Sequence, residues 1–214
     1  MDGYMVSSDV VVLSESRPLE AEAIRTIRTH VTARHIKGGR RGLALCAPTT
    51  GAGCTFVAVN LAVALAQVGL STLLVDANLR APGVQDYIRP PPNTIGVKQI
   101  LQADGPTSQN FVHNDVLPGL SIIYAGGAEE HAQELLGAGV FKGLVDDCLR
   151  DYDITIFDTA PSNDYADARR VNTLVGYAMI VVRSDVTLTS DVKALAAQMW
   201  EDGVELVGTV LNEA

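Results

Sequence analysis

The chain has 214 residues, a formal net charge of −9 and a pI near 4.8. Its length suits one α/β domain with a sizeable core, and a composition of 47% hydrophobic and 19% charged residues excludes a disordered chain. The acidic balance disfavours a protein that binds nucleic acid over a broad surface, because such a surface needs an excess of basic residues.

The cysteines and the first residues of the chain indicate the cellular compartment in which the protein is expected. Cys46, Cys54 and Cys148 are widely spaced and form no C-x-x-C pair, which is typical of reduced thiols in the cytoplasm. The first residues lack the basic start and the apolar core of a signal peptide. The longest apolar stretch, residues 56–70, is too short to span a bilayer. Any association with a membrane is therefore expected to depend on a partner.

The N-terminal part of the chain is predicted to be an arm followed by a helix. Residues 1–17 form the arm, and residues 10–13 within it have the composition of a short strand. Pro18 is predicted to open the helix, because proline is favoured in the first turn and acidic residues precede basic ones along this segment. A basic turn, residues 37–41, then leads into the first core strand.

Residues 43–66, LALCAPTTGAGCTFVAVNLAVALA, contain a strand, a loop with two glycines and a helix that begins near Thr55. This order is typical of a phosphate-binding loop, in which backbone N–H groups and the positive end of a helix point at an anion. The pattern of such a loop is G-x-x-x-x-G-K-[ST]. Gly53 and Thr55 match its last glycine and its hydroxyl residue, whereas Pro48 replaces the first glycine and Cys54 replaces the lysine. The sequence therefore predicts a phosphate-binding loop without its cation.

The missing lysine has a calculable effect on binding. A charge-assisted hydrogen bond from an ammonium to a phosphate is worth about 1.5–3 kcal/mol, which is about one to two powers of ten in affinity. Cys54 is interpreted either as a reactive thiol at a helix N-terminus or as a small residue that fills space. Lys37, Arg40, Arg41 and Arg80 are candidates for replacing the lost charge.

The rest of the chain alternates between apolar strands and helical segments, which predicts an α/β fold with a mostly parallel central sheet of about seven strands, covered by helices on both faces. This single domain is expected to span residues 18–214. Further strands are predicted at 71–76, 120–124, 153–158, 177–183 and 206–211, and further helices at 95–101, 131–149 and 190–201.

Two acidic residues end predicted strands and point to a metal. Asp76 and Asp158 each close a buried strand, and in a parallel sheet the carboxyl ends of the strands form the site. Together with the hydroxyl of Thr55 they are the hard oxygen ligands that Mg²⁺ takes beside phosphates. An aspartate at a strand end is also a common turn residue, so the glycine loop is what favours a nucleotide site. Asn78 follows Asp76 closely and is interpreted as a turn former, because an amide cannot accept a proton at neutral pH.

Four segments of the chain resemble motifs of the bacterial tyrosine (BY) kinases of capsule and exopolysaccharide synthesis, and they occur in the same order along the chain. These kinases are a branch of the P-loop ATPases, and the Walker A motif of this chain is degenerate by comparison with theirs. TLLVDANLRAP is similar to the second Walker motif of that family, with Asn78 as the departure. ITIFDTAPS is similar to its Walker B segment, and GTVLN to its final strand. The residues that match are Asp76, Leu79, Arg80, Pro82, Asp158, Pro161 and Asn212, and Glu22, Arg25 and Arg28 match an E-x-x-R-x-x-R oligomerisation motif.

The resemblance implies roles for particular residues. It implies catalytic carboxylates at Asp76 and Asp158, and Mg²⁺ ligands at Thr55, Asp76 and Asp158. Asn212 would lie near the adenine of the nucleotide. The nucleotide-binding residues that it implies are Gly51, Ala52, Gly53, Cys54, Thr55, Phe56, Arg80 and Asn212.

The resemblance also implies a pathway and partners. The chain is expected to be a catalytically weakened, kinase-like regulatory component of exopolysaccharide, capsule or holdfast-type polysaccharide biosynthesis and export. It would bind ATP or ADP with Mg²⁺ weakly, form homo-oligomers, and lie in the cytoplasm, where a membrane-anchored chain-length determinant or co-polymerase would recruit it to the inner membrane. The alternatives are an active ATP-dependent protein-tyrosine autokinase or ATPase that uses another cation, and a partitioning-type ATPase.

Overall fold

The computed structural model describes residues 3–102 and 111–213. Within these ranges the chain forms eight α-helices and nine β-strands that alternate along most of the sequence. The helices are α1 Pro18–Arg34, α2 Cys54–Ala66, α3 Val84–Tyr87, α4 Val97–Gln102, α5 Ala132–Gly137, α6 Gly139–Asp151, α7 Asp167–Val175 and α8 Thr189–Glu201. The strands are β1 Met5–Val6, β2 Gly42–Cys46, β3 Thr72–Asp76, β4 Ile88–Arg89, β5 His113–Leu117, β6 Leu120–Ile123, β7 Ile154–Asp158, β8 Tyr177–Arg183 and β9 Glu205–Asn212.

The core is a seven-stranded sheet in the order β5-β6-β3-β7-β2-β8-β9. All neighbouring strands in it are parallel except β5, which pairs antiparallel with β6. The short strands β1 and β4 pair separately, as an antiparallel two-stranded sheet. The predicted α/β fold with a mostly parallel sheet is thus confirmed.

Alternating side chains of the central strands supply both faces of the sheet. In β2, Leu43 and Leu45 belong to one hydrophobic cluster, whereas Ala44 and Cys46 belong to another. Successive residues of a strand point to opposite faces, so the two clusters are the cores under the two helical layers. All residues of β2, β3 and β7 are buried, as expected for strands covered on both sides.

The central helix α2 is apolar all round because it lies between the sheet and other parts of the chain. Its residues from Val57 to Ala66 are all buried, and α1 packs against it. No helix among the described residues combines the length and the apolar character needed to cross a membrane.

The N-terminal segment packs against the domain. The strand predicted at residues 10–13 is wrong, because Val11–Leu13 form a 3₁₀ turn. Val10, Val11 and Val12 are nevertheless buried in the core cluster that includes α2. Their apolar character comes from burial, which a short run of valines does not distinguish from strand formation.

Other differences from the sequence-based elements are local. The helix predicted over 131–149 consists of α5 and α6, separated at Ala138, which has extended φ and ψ values of −68° and 152°. Gly137 and Gly139 flank this break, and glycine disfavours a helix interior. Helix α7 and strand β5 were not predicted, since both are short and rich in polar residues. Residues 103–110 lie outside the described part of the chain.

Candidate phosphate-binding cleft

The candidate loop, residues 47–54, has the backbone form of an anion site. Gly51 and Gly53 have φ values of 80° and 84°, and Ala52 between them does not have a positive φ. Such alternation turns successive N–H groups toward one side, forming a concavity that binds anions. The φ of 84° at Gly53 strongly favours glycine, and a Cβ added there would also lie 2.1 Å from Nδ2 of Asn212, so that side chain would have to move. The sequence prediction of a phosphate-binding loop followed by a helix has this geometric counterpart.

Several carbonyl groups of the loop accept hydrogen bonds from the segment after β7 and from the ends of β8 and β9. The segment after β7 donates two of them through backbone N–H groups, at residues 162 and 163, to the carbonyls of Ala47 and Pro48. The ends of β8 and β9 donate two more through side chains. Nη1 of Arg183 lies 3.2 Å from the carbonyl oxygen of Gly51, and Nδ2 of Asn212 lies 3.0 Å from that of Ala52.

The inner side of the loop borders a cleft with a volume of about 460 Å³. The cleft is closed by the segments that follow β3 and β7, so it lies at the carboxyl edge of the sheet. Arg80 is the one charged residue among the described residues that line it. The lining residues are Ala47, Thr49, Thr50, Gly51, Ala52, Gly53, Cys54, Thr55, Phe56, Asn78, Arg80, Ala81, Tyr87, Thr159, Pro161 and Tyr165.

Cys54 is the first residue of α2 and lines the cleft, where the loop pattern has its lysine. Its thiol pKa is raised well above the ordinary value, first by burial and then by the nearby Asp158 carboxylate. A thiol in this setting stays protonated at neutral pH and is a poor nucleophile. The interpretation of Cys54 as a reactive, acidic thiol is therefore wrong, and the residue acts as a small neutral side chain.

Asp76 and Asp158 are paired residues on the neighbouring strands β3 and β7. Both are buried, and the hydroxyl of Thr55 donates to Oδ2 of Asp158 over 2.6 Å. Burial raises the pKa of Asp158 to about 6, although the hydrogen bond from Thr55 acts in the opposite direction. Burial also raises the pKa of Asp76 well above its ordinary value, and the charge of Asp158 adds to this effect. The structure thus brings the three predicted metal ligands to one point.

The two carboxylates differ in what they contact. Asp76 accepts hydrogen bonds from the N–H groups of Asn78, Gly83 and Val84, each at 3.2 Å. It therefore fixes the turn after β3, and Gly83 of this turn packs so closely on Thr55 that an added Cβ would lie 3.1 Å from its side chain.

In contrast, Oδ1 of Asp158 is buried and accepts no hydrogen bond of ordinary geometry from the described residues. An unsatisfied buried carboxylate oxygen beside a hydroxyl fits a hard cation. Within the described residues no group of three or more His, Cys, Asp or Glu side chains is placed to hold a metal. Mg²⁺ at this point would thus rest on Thr55 and Asp158, with phosphate and water oxygens as its other ligands, and would neutralise phosphate charge there.

Arg80 lies in the cleft but is already engaged. Its Nε donates to the buried carboxylate of Asp167 over 2.8 Å, and its Nη1 donates to the carbonyl of Glu130. The guanidinium carbon stands 4.8 Å from the ring centre of Tyr165. Freeing Arg80 for a phosphate would leave the Asp167 charge buried and unpaired, at a cost of about 3–5 kcal/mol.

The other three candidate replacements for the lysine lie at the wrong end of the sheet. Lys37, Arg40 and Arg41 precede β2, whereas the loop follows it, and five residues of strand separate these ends by roughly 16 Å. Arg40 pairs with Glu205 at 2.9 Å, and Arg41 donates to the carbonyl of Arg150 over 3.0 Å. The proposed compensation by any of these three residues is wrong.

Arg183 contacts the loop and was missed. The signal that could have revealed it is the one that revealed Asp76 and Asp158, namely a charged residue at the carboxyl end of a core strand. Asn78 caps the same turn as Asp76, because its Oδ1 accepts the N–H of Ala81 over 3.2 Å. Its interpretation as a turn former agrees with this contact.

The predicted oligomerisation residues lie on α1, and none of them lines the cleft. Glu22 and Arg25 form an ion pair of 3.4 Å on the surface, with side chains 70% and 40% exposed. Arg28 is half-buried one turn further along the helix. The three residues lie on neighbouring turns of α1, as i, i+3 spacing requires.

Comparison with known proteins shows similarity to bacterial tyrosine-protein kinases. No family model matches it. It is 25% identical over 206 residues to a putative tyrosine-protein kinase CapB of Staphylococcus aureus, covering 96% of this chain and 90% of the relative. It is 29% identical over 194 residues to a putative tyrosine-protein kinase EpsB of Ralstonia solanacearum, covering 89% of this chain but only 25% of the relative.

Solved structures agree with these sequence relatives. The crystal structure of the chimerical protein CapA2B2 has a TM-score of 0.86 at 28% identity, covering 97% of this chain and 91% of that one. The septum site-determining protein MinD of Pyrococcus horikoshii, complexed with Mg-ADP, has a TM-score of 0.66 at 18% identity, covering 80% and 70%, and shows the fold alone. The chain is therefore similar in sequence to bacterial tyrosine-protein kinases, and its fold resembles solved structures related to them.

Proposed function

We propose that this chain acts mainly by binding, as a catalytically weakened kinase-like subunit of a bacterial system for polysaccharide biosynthesis and export. The observation that carries the proposal is the charge of the cleft. Cys54 stands where the loop pattern has a lysine, and the one charged residue among the described lining residues, Arg80, is committed to Asp167. A phosphoryl-transfer site needs cations that stabilise the charge on the transferring group. In this cleft the backbone has the shape of a phosphate-binding site, but the side chains supply little positive charge.

The same cleft supports retained, weak binding of MgADP or MgATP. The loop keeps its concave backbone, and Thr55 with Asp158 keeps two hard oxygen donors beside it. These contacts favour a nucleotide that has a structural or regulatory role over one that is turned over. The proposed oligomer, the membrane-anchored chain-length determinant or co-polymerase as partner, and a cytoplasmic location follow from the resemblance to the BY kinases.

Titration of the native chain with MgATP and MgADP tests the proposal. We expect dissociation constants well above the micromolar range, because a contact of about 1.5–3 kcal/mol is missing, and no release of phosphate above the rate without protein. Isothermal calorimetry and a phosphate-release assay measure the two quantities. Micromolar binding with turnover would instead support an active autokinase or ATPase, the alternative that the intact Thr55–Asp158 pair favours. A partitioning-type ATPase has support from the fold alone, and the net charge of −9 disfavours a DNA surface.

Assembly through α1 makes a separate prediction. Exposed ion pairs contribute about 0–1 kcal/mol to folding, so replacing both Arg25 and Arg28 by alanine should leave the fold intact. If these side chains bind a second copy of the chain, sedimentation velocity should show the double variant as a smaller particle than the native protein. Arg150→Ala, which removes an arginine from the surface of α6, is the matched control. Identical sedimentation of the native chain and the double variant would remove the claim of assembly through α1.

A further inference from the structure

Two side chains outside the loop pattern contact the loop at consecutive peptide groups. Arg183 and Asn212 are paired neighbours at the ends of β8 and β9. Arg183 donates to the carbonyl of Gly51, and Asn212 donates to the carbonyl of the next residue, Ala52. Neither contact belongs to the Walker motifs, since both donors lie more than a hundred residues beyond the loop.

Fixing these carbonyl groups also fixes the N–H groups of the next residues. The C=O and N–H of a trans peptide point in opposite directions, and none of the described peptide bonds is cis. With the carbonyls of Gly51 and Ala52 directed toward the ends of β8 and β9, the N–H groups of Ala52 and Gly53 are directed away from them, and both residues line the cleft. Within residues 3–102 and 111–213 neither N–H donates to a protein acceptor.

Arg183 adds a charge to this arrangement. Among the described residues it forms no ion pair with a carboxylate, and its side chain donates a hydrogen bond to the carbonyl of Gly51. A hydrogen bond from a charged donor is stronger than one from a neutral donor. It therefore orders the loop more strongly than a neutral side chain in the same place would.

We infer that Arg183 and Asn212 are positioning residues that hold the N–H groups of Ala52 and Gly53 in the orientation needed to bind a phosphate. Because the lysine is absent, this backbone concavity carries a larger share of phosphate affinity than in a loop that has the lysine. The inference rests on the proposal that this cleft is a phosphate site. It assigns to β8 and β9 a role in building that site.

The order of the loop in the ligand-free chain provides the first test. In the native protein, ¹⁵N relaxation should give order parameters for Gly51, Ala52 and Gly53 near the rigid value of about 0.85. In Arg183→Met, which keeps the length of the side chain and removes its donors, we expect them to fall below about 0.6. Arg183→Lys should restore much of the order, because it supplies one charged donor. Asn212→Ala should loosen the peptide that joins Ala52 to Gly53.

Phosphate affinity provides the second test, with inorganic pyrophosphate as the probe. We expect Arg183→Met to weaken its binding about tenfold, a change that corresponds to about 1.4 kcal/mol, with little change in the melting temperature. The matched control is Arg41→Met, because Arg41 also donates to a backbone carbonyl but at the opposite edge of the sheet. This control should change neither the order parameters nor the affinity.

Unchanged order parameters at residues 51–53 in Arg183→Met would overturn the inference. So would an equal loss of order in Arg41→Met, since this would indicate general loosening of the fold. Relaxation is measured without ligand, so the outcome does not depend on how tightly the chain binds nucleotide. Turnover of ATP would therefore contradict the proposed function and leave the positioning role of Arg183 standing.

Discussion

Replacing Cys54 by lysine is expected to tighten binding of MgADP by ten- to a hundredfold. The substitution places an ammonium group at the start of α2, beside the N–H groups of Ala52 and Gly53. A charge-assisted hydrogen bond from this group to a phosphate would add about 1.5–3 kcal/mol. Although the thiol group is desolvated enough for its pKa to be raised, Cys54 as a whole residue is partly exposed and lines the cleft, so a longer side chain can extend toward the ligand. Isothermal calorimetry of the native and variant proteins measures the difference.

Cys54→Met is the matched control, because methionine has almost the length of lysine without its charge. We expect this variant to bind MgADP no better than the native chain. Cys54→Lys should also lower the pKa of Asp158, since an ammonium group nearby favours the charged carboxylate. Equal affinities of Cys54→Lys and Cys54→Met would show that charge is not what the loop lacks, and the proposal of a weakened site would lose its main support.

Asp158→Asn is expected to gain stability relative to the native chain as pH rises from about 4 to about 6, by up to about 3 kcal/mol. In the folded state burial raises the pKa of Asp158 from the ordinary 3.8 to about 6, and each pKa unit is worth about 1.36 kcal/mol. Between pH 4 and 6 the folded state therefore binds more protons than the unfolded state, so the free energy of unfolding of the native chain falls as pH rises through this window. Asparagine has no charge to bury there, and its Oδ1 can still accept from Thr55. Its Nδ2 takes the place of a buried oxygen without a partner among the described residues, and the cost of that donor does not depend on pH.

Urea unfolding of both proteins from pH 3.5 to 8 measures this effect. The free energy of unfolding of the variant minus that of the native chain should increase through the window from about pH 4 to about 6 and then level off. Asp146→Asn is the control, because Asp146 is an exposed acid paired with Lys142, and its difference should stay near zero. A variant that is less stable than the native chain by the same amount at every pH would show that the charge of Asp158 does not lower the free energy of unfolding. A carboxylate that lowers stability without a ligand is typical of a functional site.

Much of the fold follows from local patterns in the sequence. Buried strands such as 72–76 and 154–158 are continuous apolar runs that end in an acid, and the helix after the loop is a long apolar segment. These patterns predict a parallel sheet covered on both faces, and the structure has one. The patterns failed at the valines at 10–12, because a short apolar run is expected both for a buried turn and for a strand. They also failed at α7 and β5, because these elements are short and rich in polar residues.

Less of the site could be predicted, because its residues meet through the sheet and not along the chain. Strand order brings Asp158 beside Asp76, and Arg183 beside the loop, across more than eighty residues of sequence in each case. Sequence offered Lys37, Arg40, Arg41 and Arg80 as equal replacements for the lysine. The structure separates them, since three lie at the amino edge of the sheet and the fourth is bound to Asp167.

The sequence alone determined the class of fold, the position of the candidate phosphate-binding loop and the presence of Cys54 where the loop pattern has a lysine, because each depends on neighbouring residues and their periodicity. Tertiary structure decided which charges reach the loop and what state they are in. Cys54 illustrates the difference, since the start of a helix favours an acidic thiol, whereas burial beside Asp158 raises its pKa. Electrostatic interactions depend on distance and on exclusion of water, and both are set by segments that are far apart in the chain.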